Sequence, residues 1–246
     1  MKRHLLLIAL VACAWSSRAQ SEEGFRLLRD KKYGEALASF ERYLDTARRA
    51  DDLVTFNAAV CATRVGDHAA AEKYFTRSIA SGYNLFAAYA GKADALHKQE
   101  KIDEMVETLK AGMKAGTKAD SSSHAPLERM YALHLLAEGR EHFRANKVAK
   151  AAESYTLLTR LNDKRWRADG FLSLGTLYAA SGSAIMQDAA AARGTALEAA
   201  RKRAAAEYAK ARANLDRAAK LYPDDPRVEE ALTRLARLRQ DLPPAR

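Results

Sequence analysis

The sequence predicts an all-α protein built from stacked antiparallel helix hairpins, and three observations carry that prediction. Alanine supplies 52 of the 246 residues, against 12 glycines and five prolines, every proline lying at position 126 or later. Glycine and proline carry the largest helix penalties, so long stretches that avoid them favour helix and exclude an all-β or doubly wound α/β chain. A small residue recurs at Gly24, Ala59, Ala93, Gly139 and Gly175, the second following the first by 35 residues and the third following the second by 34. Twelve residues after the first four anchors stand Ala36, Ala71, Met105 and Ala151, and four further on Phe40, Phe75, Leu109 and Tyr155. Small residues let two helices approach closely and bulky ones fill the gap they leave. Turn-forming residues at Gly66-Asp67 and Asn146-Lys147 separate the two helices of a hairpin, and Tyr33 and Ile102 open second helices. With 48% apolar and 29% charged residues the chain is neither disordered nor multi-spanning.

Residues 1–19 stand apart from the fold. A basic head, Met1-Lys2-Arg3-His4, precedes an apolar run from Leu5 to Trp15 and the small residues of Ser17-Arg18-Ala19. That pattern predicts a cleaved export signal with Gln20 first in the mature chain, since the run is too short to span a bilayer. The segment Leu10-Val11-Ala12-Cys13 also resembles a bacterial lipobox, which offers the alternative of lipidation at Cys13. Cleavage after residue 19 removes three cations and leaves 38 against 31 acids, a net +7. Cys61 is then the one remaining cysteine, so no intramolecular disulfide forms. Its small neighbours predict a buried thiol.

Three hairpins are expected over residues 20–117. A polar stretch at 118–125, containing Ser121-Ser122-Ser123, reads as a linker, and Pro126 suits the first turn of the next helix. Hairpins four and five occupy 126–225. In the fifth, after a turn expected at Gly182, the second-helix pattern returns only at Ala211, Leu215 and Ala218. The intervening insertion holds 16 alanines between residues 184 and 219 and is predicted to be a long helix projecting past the body of the repeats. A break near Gly194-Thr195 remains open, where Thr195 and Glu198 have capping-box spacing. Leu197, Ala204, Tyr208, Ala211, Leu215, Ala218 and Tyr222 form a seam for another helix, from this chain or a partner. Residues 226–246 supply a terminal capping helix and tail.

Five copies in step, with Leu174-Gly175 and Tyr178 in a first helix and Ala71, Phe75 and Ser78 in a second, resemble the tetratricopeptide repeat family. Met105, Gly112 and His142 depart from its usual residues. The resemblance implies a right-handed superhelical solenoid of about five repeats, the fifth interrupted by the long alanine-rich helix. It also implies a concave groove lined by first helices that takes a protein or peptide. Arg29, Arg64, Lys98 and Arg144 lie five residues after their anchors, where the fifth copy has Ala180, and Arg140 lies one after its anchor. Together with Phe25 and Asn57 these are the candidate groove residues, and their charge suits an acidic partner. Family members that clamp the C-terminal carboxylate of cytosolic chaperones use lysines and asparagines from three repeats. Only Asn57 matches that set, with Ser21, Phe25, Ala87 and Gly91 at the other positions, so no such clamp is expected.

Catalytic signals are weak throughout the sequence. None of the six histidines belongs to a His-Glu-x-x-His pair or a Cys/His cluster, and there is no phosphate loop and no nucleophile turn. A non-enzymatic chain without metal or cofactor is expected, and nucleic acid finds no recognisable motif. Residues 201–246 hold 12 cations against seven acids, a surplus that a solvated helix face, an acidic protein or anionic lipid would each accommodate. The leading expectation is an exported scaffold at the periplasm or cell envelope. The alternative is a lipid-anchored assembly factor resembling the repeat lipoproteins of outer-membrane barrel assembly, which requires acylated Cys13.

Overall fold

A computed structural model describes residues 19–46, 51–115, 121–240 and 242. The predicted leader, with Cys13, lies outside the described residues apart from Ala19. Among the described residues there are eleven helices and no strand. They are α1 (19–29), α2 (Tyr33–Thr46), α3 (Asp52–Val65), α4 (His68–Ser81), α5 (Leu85–Lys98) and α6 (Ile102–Lys114), followed by α7 (Ser121–Arg144), α8 (Val148–Leu158), α9 (Lys164–Asp188), α10 (Gly194–Leu221) and α11 (Pro226–Gln240). The chain divides into two compact units, Met1–Leu127 and Glu128–Arg246.

The first unit shows how the spacing works. A Cβ on Gly24 would lie 2.5 Å from the ring of Phe40, so only glycine lets α1 and α2 close on that fully buried side chain. Ala59 and Phe75 repeat the arrangement, and Gly91 of the following helix admits the same Phe75 ring from the other side. Cys61 and Val54 are completely buried in this core. Burial alone pushes the Cys61 thiol up to about 11, which makes it a packing residue rather than a nucleophile.

Each of the first four hairpins turns in the same way. Lys31, Gly66, Glu100 and Asn146 all have positive φ, between 57° and 80°. In each turn the next residue's N–H reaches back to a carbonyl of the preceding helix, as from Asp67 to Ala62 and from Lys101 to Leu96, at 2.9 and 3.0 Å. This is the Schellman closure of a helix end, and only one of the four left-handed positions holds the glycine that suits it. Asp51 and Asp67 then accept from Val54 N–H and Ala70 N–H to start α3 and α4.

Two expectations are corrected. The polar stretch at 118–125 is helical from Ser121, and Pro126 lies inside α7 instead of opening it. Proline at that point removes one hydrogen bond, and packing offsets the loss: the His124 ring meets Phe86 edge-to-face at 4.5 Å and Leu127 is fully buried. The second correction concerns the fifth hairpin. Gly182 does not turn. It is buried within α9, where a Cβ would lie 2.5 Å from the ring of Tyr208. The insertion is therefore shared between α9 and α10, which pack antiparallel after a turn at 189–193, and no single long helix projects past the repeats. The break falls at Gly194, but Arg193 is the capping position and no side chain caps the helix, so the Thr195–Glu198 box does not form.

The Gly175–Leu215 and Gly182–Tyr208 pairs step by seven residues in opposite directions, two turns of each helix. Ala204, Tyr208, Ala211, Leu215 and Ala218 are buried, and the partner of the predicted seam is α9 of the same chain. The capping helix forms as α11.

Candidate functional site

The candidate groove cations share a structural position. Arg64, Lys98 and Arg144 stand in the last turns of α3, α5 and α7, and Arg29 ends the described helix α1. There each faces the carbonyl end of a helix, where positive charge is favourable. Arg29, Lys98, Arg140 and Arg144 are exposed, and Arg64 is exposed with its guanidinium 5.9 Å from the centroid of the Tyr33 ring. Phe25 is drawn into the core, edge-to-face with Phe40 at 5.1 Å. Asn57 spends its amide on its own helix, donating to Leu53 C=O at 2.8 Å. In the second unit Arg140 and Arg144 flank the buried Tyr155, whose phenol is raised by burial and pulled the other way by the two cations.

Between Arg140 and Arg144 lies Phe143, 38% exposed, a residue the sequence reading passed over. It borders a cavity of about 540 Å³ set between α9 and α11, within the size range of ligand pockets. Gly175, Leu172 and Leu215 form its floor, and Thr176, Ala179 and Ala180 of α9 continue one side. Ala180 is the position at which the cation ladder stops, so the fifth copy exchanges charge for a small apolar surface. Ala231, Arg234 and Leu238 of α11 form the opposite side.

The two sides are joined by charge. Arg227 of α11 reaches Asp169 of α9 at 2.9 Å and Asp225 at 2.7 Å. The hydrogen bond from Arg227 holds the Asp225 carboxyl below its ordinary value, against the opposing effect of burial. At the same N-terminal end of α9, buried Glu128 of α7 accepts from the backbone N–H groups of Asn162 and Asp163 and fixes the loop that enters the helix. No sequence motif marks this cavity, because its residues come from α7, α9, α10 and α11. The one available signal was the insertion itself.

No cluster of three or more His, Cys, Asp or Glu side chains among the described residues is placed to hold a metal ion. What the arrangement can do is bury apolar surface between two polar helix edges.

Successive antiparallel hairpins, closed by one recurrent left-handed turn and interlocked by small and bulky residues at fixed spacing, define a helical-repeat protein. The chain has the tetratricopeptide-repeat fold. It superimposes on a TPR repeats protein from Bacteroides fragilis with a TM-score of 0.81 and 27% identity, over 90% of this chain and 98% of that one. YrrB, a TPR protein with an unusual peptide-binding site, aligns with a TM-score of 0.43 and 15% identity over 87% of this chain and 90% of its own. The TPR2AB domain of yeast Sti1, in complex with pHSP90, aligns at 0.39 and 15% over 93% and 84%. Neither a family model nor a curated protein matches the sequence.

Proposed function

We propose that the chain is an exported scaffold that holds a protein or peptide partner along its first helices, in or near the cell envelope. The observation that carries the binding reading is the cavity between α9 and α11, bordered by Phe143 at the end of α7. It has an apolar floor and polar edges, which suits recognition of a partner side chain. The exposed cations at the ends of α3, α5 and α7 favour an acidic partner. Export rests on the basic head, apolar run and small-residue junction of residues 1–19.

Two measurements test the reading. The intact mass of the native protein should correspond to a chain beginning at Gln20; an acylated N-terminus at Cys13 would replace free export by membrane tethering, and an uncleaved chain would remove export altogether. Affinity capture from envelope extract should recover a partner that is lost when Arg64, Lys98 and Arg144 are all reversed to glutamate. Unchanged recovery would reject the cationic part of the groove.

A further inference from the structure

The fifth hairpin departs from the other four at one point. Where they turn, at Lys31, Gly66, Glu100 and Asn146, α9 passes through Gly182 as helix and continues to Asp188. Ser183, Ala184 and Gln187 stand on these added turns, and all three line the cavity, together with Leu238 and Arg234 of α11. A hairpin of ordinary length would end before them and leave that side open. The insertion therefore builds a wall.

The charges around this wall are unequal. Arg227 is neutralised by Asp169 and Asp225, and Glu230 is the one carboxylate on the lining. Against it stand Arg234 on the lining and Arg140 and Arg144 beside Phe143, none of which has a carboxylate within ion-pair distance among the described residues. Thr176, Ser183 and Gln187 place donors and acceptors along the same edge, where an extended backbone would need them.

We propose that the added turns of α9 make this cavity an anchor pocket for one large apolar side chain, of the leucine, methionine or phenylalanine class, in an extended peptide whose neighbouring residues are acidic. The proposal rests on the peptide-binding reading above and specifies its ligand. The anchor side chain covers Leu172, Ala179 and Leu215 and meets exposed Phe143, while flanking carboxylates meet Arg234, Arg140 and Arg144. An apolar anchor in a desolvated pocket supplies most of the affinity, and the rim charges set which flanks are accepted.

The test uses the full chain as bait for a displayed library of random dodecapeptides. The enriched peptides should carry a leucine, methionine or phenylalanine within three residues of at least two Asp or Glu. Two variants then address the wall. Ala184→Trp fills the cavity from an exposed lining position. Deletion of residues 182–188 and 202–208 removes two turns from each arm and preserves the Gly175–Leu215 pair. With helicity retained by circular dichroism, both should weaken the best enriched peptide at least ~10-fold in fluorescence anisotropy, the scale of one anchor contact. Peptides that bind both variants as tightly as the parent, or that lack the apolar and acidic pattern, would overturn the anchor pocket and leave peptide binding elsewhere on the chain intact. Failure to enrich any peptide would overturn the peptide-binding reading itself.

Discussion

Glu100 illustrates how single residues in this chain serve the repeat at a local cost. Its φ of 60° lies in the left-handed region, which a side chain with a Cβ adopts at a penalty that glycine escapes. The Glu100→Gly variant is expected to be more stable than the parent by about 1 kcal/mol, seen as a rise in Tm; no rise would mean that the Glu100 side chain makes compensating contacts. Glycines inside helices split into two kinds. Gly182 faces the Tyr208 ring, and Gly182→Ala should lower stability by about 1–3 kcal/mol because the ring is buried and has nowhere to move. Gly34 has only Val65 nearby, at 3.9 Å, and Gly34→Ala should stabilise by about 0.5 kcal/mol through helix propensity. Urea titration of the two variants should shift the midpoints in opposite directions.

At the scale of elements, the capping helix α11 depends on a charge bridge as well as on Val228 and Leu235 in the core. The Asp225 carboxyl lies below its ordinary value of 3.8 in the folded chain because it accepts from Arg227. A carboxyl with a depressed folded value contributes stability above its unfolded value and loses it as pH falls through the folded one. Hydrogen exchange in α11 should therefore accelerate as pH drops below about 4, after correction for the intrinsic rate. Asp225→Asn should flatten that dependence, and an unchanged acid response would assign it to other carboxylates. The same guanidinium ties α11 to α9 through Asp169.

For the molecule as a whole, repeat construction makes stability local. The core around Phe40, Val54 and Phe75 belongs to the first compact unit, and that around Tyr208, Leu215 and Leu235 to the second. Repeats interact chiefly with their neighbours. Leu215→Ala, which empties the space above Gly175, should cost about 2–5 kcal/mol where it acts. Hydrogen exchange should show protection lost across α9, α10 and α11 while α2 to α5 keep theirs; uniform loss would indicate one cooperative block.

Much of this architecture was legible before any coordinates. The pairing of Gly24 with Phe40 or Gly139 with Tyr155 follows from spacing along helices of known pitch, and the buried seam of α10 follows from the three-and-four recurrence of Tyr208, Ala211 and Leu215. Such regularities are local and repeated, so five imperfect copies reinforce one another. Helix ends were less legible. Gly182 and Pro126 both carry local signals for a boundary, and both lie inside helices, because burial of Tyr208 and Leu127 outweighs preferences of about one to three kcal/mol. The candidate cations are exposed, but their common place at helix C-termini, and the diversion of Phe25 and Asn57 into packing and self-capping, depend on what surrounds them. Residue order thus established a helical repeat, its period and its interlocking pairs. Tertiary structure alone decided that the insertion lengthens both arms of one hairpin and that Phe143, Ser183 and Arg234 meet around one cavity. Those three side chains are far apart in the chain and share no motif, and only the packing of α9 against α10 and α11 brings them together.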